Sequence, residues 1–491
     1  MLLAADSWSQ VEQPLRFELP LNEAEYDVVT AGSQGLYLTS VTPDDNNELV
    51  WRVYKLDTVL RQQWARSYVL PANQKLINKY SDDGSLYLLF GRNDPRNRDF
   101  ELLIFNQHDG QVASYVIRNF IPFTFFDFKV SQSNIVLAGY YNNRPLVITY
   151  NLNEGIPVVL PGLFIERGEL IQLKTYTNSF DIVMSGRNMF RQETLFVNSY
   201  DFKGKLLNSL MLQPEERKSF LFGMLSKVGE RQKLVAGTYG KQFSDISRGL
   251  FLARVNNGQQ AELTYYNYAD LENFFSYMKE RREKRVLDRI SRKKIRNKRI
   301  KFSYRLLVHD LMEQDDEIIL LGEAFYPKYR NVGSGYAGGG RGQHFSNGLF
   351  DNSRIFEGYR YTHAVVLGIS KEGKLLWDNS FEINDILSFD LKQFVHASIA
   401  DDKISLLYVY DNLIRSKTVV ASEVIDDKEL TPIAMVYEGD QAVEGKTRIN
   451  GLEAWYNNAF VTFGTQIITN PAVSGVNNGR AVFFINKVIN K

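Results

Sequence analysis

An all-β ring of repeated four-stranded units is the architecture this sequence predicts, and three observations predict it. First, a strand-like phrase recurs eight times: GLYLTSVT from Gly35, SLYLLFGR from Ser85, NIVLAGYY from Asn134, FDIVMSGR from Phe180, KLVAGTYG from Lys233, EIILLGEA from Glu317, KISLLYVY from Lys403 and AFVTFGTQ from Ala459. Second, the starts lie 50, 49, 46, 53, 84, 86 and 56 residues apart, which is one period once insertions are taken out of the two long intervals. Third, the last unit is one strand short and the N-terminal region offers a replacement. A strand-built period of roughly 40–50 residues marks a β-propeller, in which each blade buries its faces against two neighbours.

Each unit extends the phrase in the same way, with one apolar strand before it and two after. In the first unit these are Tyr26–Thr30, Gly35–Thr42, Leu49–Asp57 and Gln62–Leu70. The third strand runs into a recurrent turn, as in YKLDTVLR at Tyr54, IFNQHDGQ at Ile104, SYDFKGKL at Ser199 and GISKEGKL at Gly368. Asp, Asn and Gly there supply the positive φ and side-chain turn bonds of a tight hairpin. The eighth unit provides Arg448–Tyr456, Ala459–Asn470 and Arg480–Asn490. Its fourth strand is assigned to Leu15–Leu19 (LRFEL), which alternates apolar and polar residues and would close the ring without an exposed sheet edge. Eight blades follow, with seven the alternative should two units merge.

Composition agrees with a single domain carrying insertions. The 32 Phe and 27 Tyr suit sheets that must fill wedge-shaped gaps between blades. There is no cysteine, so disulfide, zinc-thiolate and cysteine-nucleophile chemistry is excluded. No apolar run is long enough for a membrane-spanning helix. Met1–Ala5 (MLLAA) lacks a charged segment and a full apolar core, and reads as the stub of a signal peptide rather than a whole one.

Two segments stand outside the repeat. Asp270–Lys301 separates the fifth and sixth units, and within Lys279–Lys301 it carries 13 Lys or Arg against 3 Asp or Glu, a local charge of +10. The whole chain is +1, so the remainder is −9: a basic arm on an acidic body. Phe274, Phe275, Met278, Leu287 and Ile290 recur at helical spacing and Asp270 is placed to cap the start, which predicts a helix on or projecting from the ring. Its cations Arg281, Arg282, Arg285, Arg289, Arg292, Lys293, Lys294, Arg296, Lys298 and Arg299 are the candidate partner-binding residues. The second insertion, Arg330–Arg360, contains NVGSGYAGGGRGQHFSNG and predicts a long mobile loop.

Other candidate chemistry is weak. Gly333, Gly335 and Gly338 satisfy G-x-G-x-x-G, but no βαβ unit surrounds them, and no phosphate-binding G-x-x-x-x-G-K-[ST] occurs, so no nucleotide or other cofactor is expected. The histidines, His108, His309, His344, His363 and His396, form no metal-ligand pattern, and His363 in YTHAVVLG reads as a packed strand residue. Glycoside hydrolysis needs two converging carboxylates, and Asp127, Glu323, Asp378 and Glu453 are the candidates. The basic arm lacks interleaved aromatics and any nucleic-acid module, so docking on an acidic protein or an anionic membrane surface is favoured over nucleic acid.

GYRYTHAVVLGISKEGKLLWDNSFEI at Gly358–Ile383, following AFYPKYR at Ala324–Arg330, resembles a blade of uncharacterised exported propeller proteins of the Bacteroidota. The resemblance implies an extracytoplasmic protein of the cell envelope, in the periplasm or associated with the outer membrane, and carries no catalytic residues with it. The expected function is therefore a non-enzymatic, protein-binding scaffold in an envelope assembly. By analogy it would be an accessory subunit docking on an outer-membrane channel such as the type IX protein secretion translocon or a nutrient importer. The alternative is a propeller that binds or cleaves glycans with carboxylates in its central channel.

Overall fold

The computed structural model describes residues 11–490 apart from 22–23, 44–47, 72, 83, 93–98, 119–120, 161–167, 230, 299, 315, 332–353, 385, 401 and 471–478. Eight antiparallel sheets follow one another along the chain, each in its own sequence order except the last. Blade 1 runs Glu25–Thr30, Leu36–Pro43, Leu49–Leu56 and Gln62–Leu70, within a residue or two of the sequence expectation. Blades 2 to 7 begin at Gln74, Thr124, Glu169, Lys218, Arg305 and His396. Blade 8 consists of Gln441–Tyr456, Ala459–Thr469 and Arg480–Asn490, and its outermost strand is Val11–Pro20. The ring closes as the sequence predicts, with Leu15, Phe17 and Leu19 opposite Lys487, Ile485 and Phe483.

The recurrent phrase is the second strand of every blade. In blade 2, Leu86–Gly91 is buried without interruption, because a second strand lies inside its sheet and both of its faces meet neighbouring blades. Beside it, the inner strands of blades 2, 3, 4, 5 and 8 skip one residue of register, between Leu76 and Asn78, Phe125 and Asp127, Leu170 and Gln172, Phe220 and Phe222, and Ile449 and Gly451. Such a bulge pushes its backbone toward the second strand. A Cβ at Gly237 would lie 2.0 Å from the Phe222 carbonyl oxygen, and one at Gly464 would lie 2.2 Å from that of Arg448. The glycine in the phrase is there to admit the bulge.

Closure is reinforced by a chain of charges. The Arg16 guanidinium donates to Glu18 at 2.7 Å, to the Ala434 carbonyl at 3.0 Å and to Gln466 at 2.8 Å, and it lies 4.4 Å from the Phe484 ring centre. Arg480 contacts Glu18 at 3.4 Å and grips the enclosed Asp440 carboxylate with two nitrogens, at 3.0 and 2.5 Å. These hydrogen bonds to Arg480 hold the Asp440 carboxyl down to about 2.

Alternation of antiparallel strands fixes what lies on each side of the ring. Turns between first and second strands, and between third and fourth, fall on one face. Turns between second and third strands fall on the other, together with every connection from one blade to the next. Both insertions belong to that second face: one connects blades 5 and 6, and the other joins Glu317–Asn331 to Arg354–Ser370 within blade 6.

Candidate functional site

The insertion between blades 5 and 6 is only partly helical. Residues 268–279 form successive turns, and one α-helix, α1, spans Glu280–Ile295. Asp270 does not cap it. Its carboxylate accepts from the Asn267 N–H at 3.1 Å, ten residues before the helix begins, and the residue preceding α1 is Lys279, without a side-chain cap. The charges of α1 instead match its dipole, with Glu280 and Glu283 in the first turn and Arg292, Lys293 and Lys294 in the last. Asn297 ends the helix at φ 50°, the Lys298 N–H donating to the Lys293 carbonyl at 2.9 Å and the Asn297 N–H to that of Lys294 at 3.0 Å.

The turns beneath α1 are fastened to blade 6. The buried Asp378 carboxylate accepts from the Glu272 and Asn273 N–H groups, each at 2.8 Å, and its backbone carbonyl accepts from the Asn273 amide at 2.9 Å. Ser380 Oγ lies 2.9 Å from Ser276 Oγ and donates to the Asn273 carbonyl at 2.9 Å. The His363 ring is stacked on Tyr277 at 3.7 Å and meets Phe274 edge-on at 5.1 Å; burial pushes its pKa down to about 3. Phe274, Phe275 and Ile290 complete an apolar cluster with Leu250, Leu306, Leu320 and Val365 of blades 5 and 6. Two of the carboxylate and histidine candidates, Asp378 and His363, are thus fasteners for the arm.

The arm's cations face outward. Arg281, Arg282, Arg285, Arg289, Arg292, Lys294, Arg296 and Lys298 are exposed, Lys293 is half-buried, and Arg299 lies outside the described residues. Among those described, Lys294 alone has a carboxylate within 4 Å, that of Asp270 at 3.6 Å. The expectation of a loop over Arg330–Arg360 is corrected at its C-terminal end. Arg354–Arg360 is strand, Arg354 pairing with Asn331 and Arg360 with Tyr326, because the hairpin ladder continues past the sheet. Gly333, Gly335, Gly338 and His344 lie outside the described residues.

The remaining candidates are scattered over several blades. Glu323 is fully buried and accepts from the Phe394 and Val395 N–H groups at 2.9 and 2.5 Å, which joins blade 6 to blade 7. His309 approaches that carboxylate at 3.6 Å, and burial lowers the neighbouring His396 to about 4, His309 contributing second. His108 sits in an exposed turn. Asp127 contacts Lys129 at 3.4 Å and accepts from Asn78 at 3.5 Å. Glu453 belongs to a different part of the channel wall: burial raises its pKa, Lys79 opposes the rise and Asp27 adds to it. Asp27 is itself paired with Lys79 at 2.5 Å. Glu453 and Asp27 line a depression of about 930 Å³ at the channel mouth, with Lys75, Lys392 and Phe394. Its lining comes from first, second and third strands of blades 1, 2, 7 and 8 and from the connection between blades 6 and 7. The four candidate carboxylates do not meet at one point. Among the described residues no group of three or more His, Asp or Glu is arranged to hold a metal ion.

Sequence reasoning missed one set of residues on this face. Met189, Phe190 and Phe243 project from the second-to-third-strand turns of blades 4 and 5. The signal was a Phe inside a turn at both Phe190 and Phe243, one repeat apart.

No protein family matches the chain, and no curated protein matches it significantly. Among solved structures it is similar to the β-propeller domain of the trilobed protease from Pyrococcus furiosus, at 10% identity and a TM-score of 0.38 over 81% of this chain and 96% of that one. It is also similar to the polysaccharide lyase Uly1, at 9% identity and a TM-score of 0.41 over 84% of this chain and 89% of that one. Neither likeness bears on chemistry.

Proposed function

We propose that the protein is a non-enzymatic propeller scaffold that binds other proteins of a bacterial cell-envelope assembly, docking through the face that carries α1. One observation carries this reading: the turns that lead into α1 are fastened to the ring by backbone and aromatic contacts and α1 is seated by Ile290, while its cations point away from the ring and all but one lack a carboxylate within reach among the described residues. A stable helix with this charge on a body of opposite sign suits an acidic partner, since charge complementarity sets both encounter rate and orientation. The resemblance of Gly358–Ile383 to exported Bacteroidota propellers supports the envelope, and an outer-membrane channel such as the type IX secretion translocon or a nutrient importer is the kind of assembly proposed. The test is recovery of partners from envelope extracts by the tagged full chain with Arg281, Arg282, Arg285, Arg289 and Arg292 replaced by Gln. Partner recovery is expected to fall at least about tenfold; unchanged recovery overturns the docking role.

A second reading, glycan cleavage at the channel mouth, is favoured by the placement of Glu453 beside Asp27. Two carboxyls on the wall of one depression, one of them raised by burial, are the groups that acid-base cleavage requires. It predicts release of reducing ends from an envelope polysaccharide, abolished by Glu453→Gln; the absence of any turnover by the intact chain removes it.

A further inference from the structure

The most exposed apolar side chains of the propeller are gathered on the insertion face. Among the described residues, seven large apolar side chains exceed 60% exposure: Ile156 at 64%, Met189 at 84%, Phe190 at 67%, Phe243 at 77%, Ile295 at 85%, Phe389 at 71% and Tyr437 at 62%. Ile156 belongs to a third-to-fourth-strand turn on the opposite face. The other six occupy second-to-third-strand turns or connections between blades, and Ile295 is the last residue of α1. They are distributed from blade 4 round to the connection between blades 7 and 8.

The tips on blades 4 and 5 are held rigidly in water. The Asn188 side chain accepts from the Phe190 and Gln192 N–H groups, each at 3.0 Å, and donates to the Gln192 side chain at 3.0 Å. The neighbouring turn is tied in by the Gln242 amide, which donates to the Phe190 carbonyl at 2.8 Å. Phe243 itself has a φ of 65°, the left-handed region that a bulky residue adopts only at a cost. A strained backbone that presents an aromatic ring to solvent gives the folded monomer nothing. The return comes from whatever covers the ring.

We infer that this face rests on an anionic lipid bilayer, with the six apolar tips entering the interfacial zone and α1 lying along the headgroups. The inference rests on the reading of this face as the docking face, and names what it docks on. The tips fall in separate groups, Met189, Phe190 and Phe243 on two neighbouring turns and the others on three connections between blades, rather than in one contiguous patch. A protein partner would need a matching pocket for each, whereas a bilayer interface accommodates separated aromatic and aliphatic side chains wherever they fall. The unpaired cations of α1 supply the preference for anionic lipid.

The experiment is co-sedimentation of the full chain with phosphatidylcholine vesicles prepared with and without phosphatidylglycerol. Binding is expected with phosphatidylglycerol and is expected to be lost at high salt. It should weaken at least about tenfold in the Phe190→Ser, Phe243→Ser, Phe389→Ser triple variant, whose one lost ring contact is the edge-on approach of Phe389 to the half-buried Phe356. Phe243→Trp should report directly, its emission shifting to the blue on vesicle addition. Sedimentation with neither vesicle, or sedimentation unchanged in the triple variant, overturns the lipid seat. Should that happen while the α1 variant still loses its co-purifying partners, the face is a protein interface and the docking proposal stands; loss of neither removes both.

Discussion

Removal of residues 1–20 is expected to lower the thermal midpoint by about 5–10 °C and to make the protein aggregate on heating. The deleted strand contributes Leu15, Phe17 and Leu19 to the cluster that joins blade 8 to blade 1, and the buried Val11 to the cluster that joins blade 7 to blade 8. Partial burial of four such side chains is worth on the order of 5 kcal/mol, which in a chain of this size corresponds to several degrees. Aggregation follows because Arg480–Asn490 would become an unpaired strand edge. A single substitution tests the polar part of the same joint. Arg16→Ala leaves Glu18 with Arg480 alone and removes the donor to Gln466 and Ala434, and breaking an enclosed pair of this kind costs about 3–5 kcal/mol. The joint is also acid-sensitive. Asp440 is held well below its unfolded value of about 3.9, so its contribution is complete above that pH and is lost as pH falls through about 2. Differential scanning calorimetry of the deletion, and acid titration of wild type against Asp440→Asn, check these outcomes. A deletion variant that melts with the wild type would mean that the ring does not depend on its closing strand.

Asp378→Ala is expected to release the arm without opening the ring. It removes two charge-assisted bonds to the Glu272 and Asn273 N–H groups and leaves both partly buried amides without that acceptor. At about 1.5–3 kcal/mol per bond to a charged group, the local loss for the two bonds is about 3–6 kcal/mol. Hydrogen exchange over residues 268–278 should accelerate, and tryptic cleavage within α1 should rise at least about tenfold, because cleavage follows the population of the opened segment. Asp378→Asn should fall between, since its carboxamide oxygen can still accept. Unaltered tryptic kinetics in Asp378→Ala would show that the Ser380 bonds, the aromatic contacts to His363 and the apolar cluster hold the arm without the carboxylate.

Blade count, strand order and closure were legible because each rests on period-two burial and turn chemistry, which are local in sequence. The recurrent glycine of the phrase was visible too, at Gly237 and Gly464, but its reason was not: the bulge it admits lies on another strand. The arm shows the same limit. Apolar spacing singled out Phe274, Phe275 and Ile290 as part of a helix, yet the first two pack from turns, since Asp378 and Ser380, about 100 residues downstream, take the backbone bonds that a helix would have made. The carboxylate candidates could not be sorted from sequence. Whether a carboxylate is a fastener like Asp378 and Glu323 or a channel-wall group like Glu453 depends on which backbone amides reach it. The exposed rings at Phe190 and Phe243 were overlooked because an apolar residue in a turn has no periodicity to betray it.

The pairing of Val11–Pro20 with Arg480–Asn490 also dictates the order in which the protein can mature. Arg16 reaches Asn486 across 470 positions, so Val11–Pro20 is made long before the strand it pairs with. Blades 1 to 7 can each form from neighbouring residues as they are synthesised, but blade 8 must wait for Arg480–Asn490. Until then Leu15, Phe17 and Leu19 have no partner strand, and the nearly complete ring is an open arc with a free edge at each end. Joining such distant segments is slow compared with hairpin formation. The interval before closure is when this chain is most exposed to misassembly with another copy of itself.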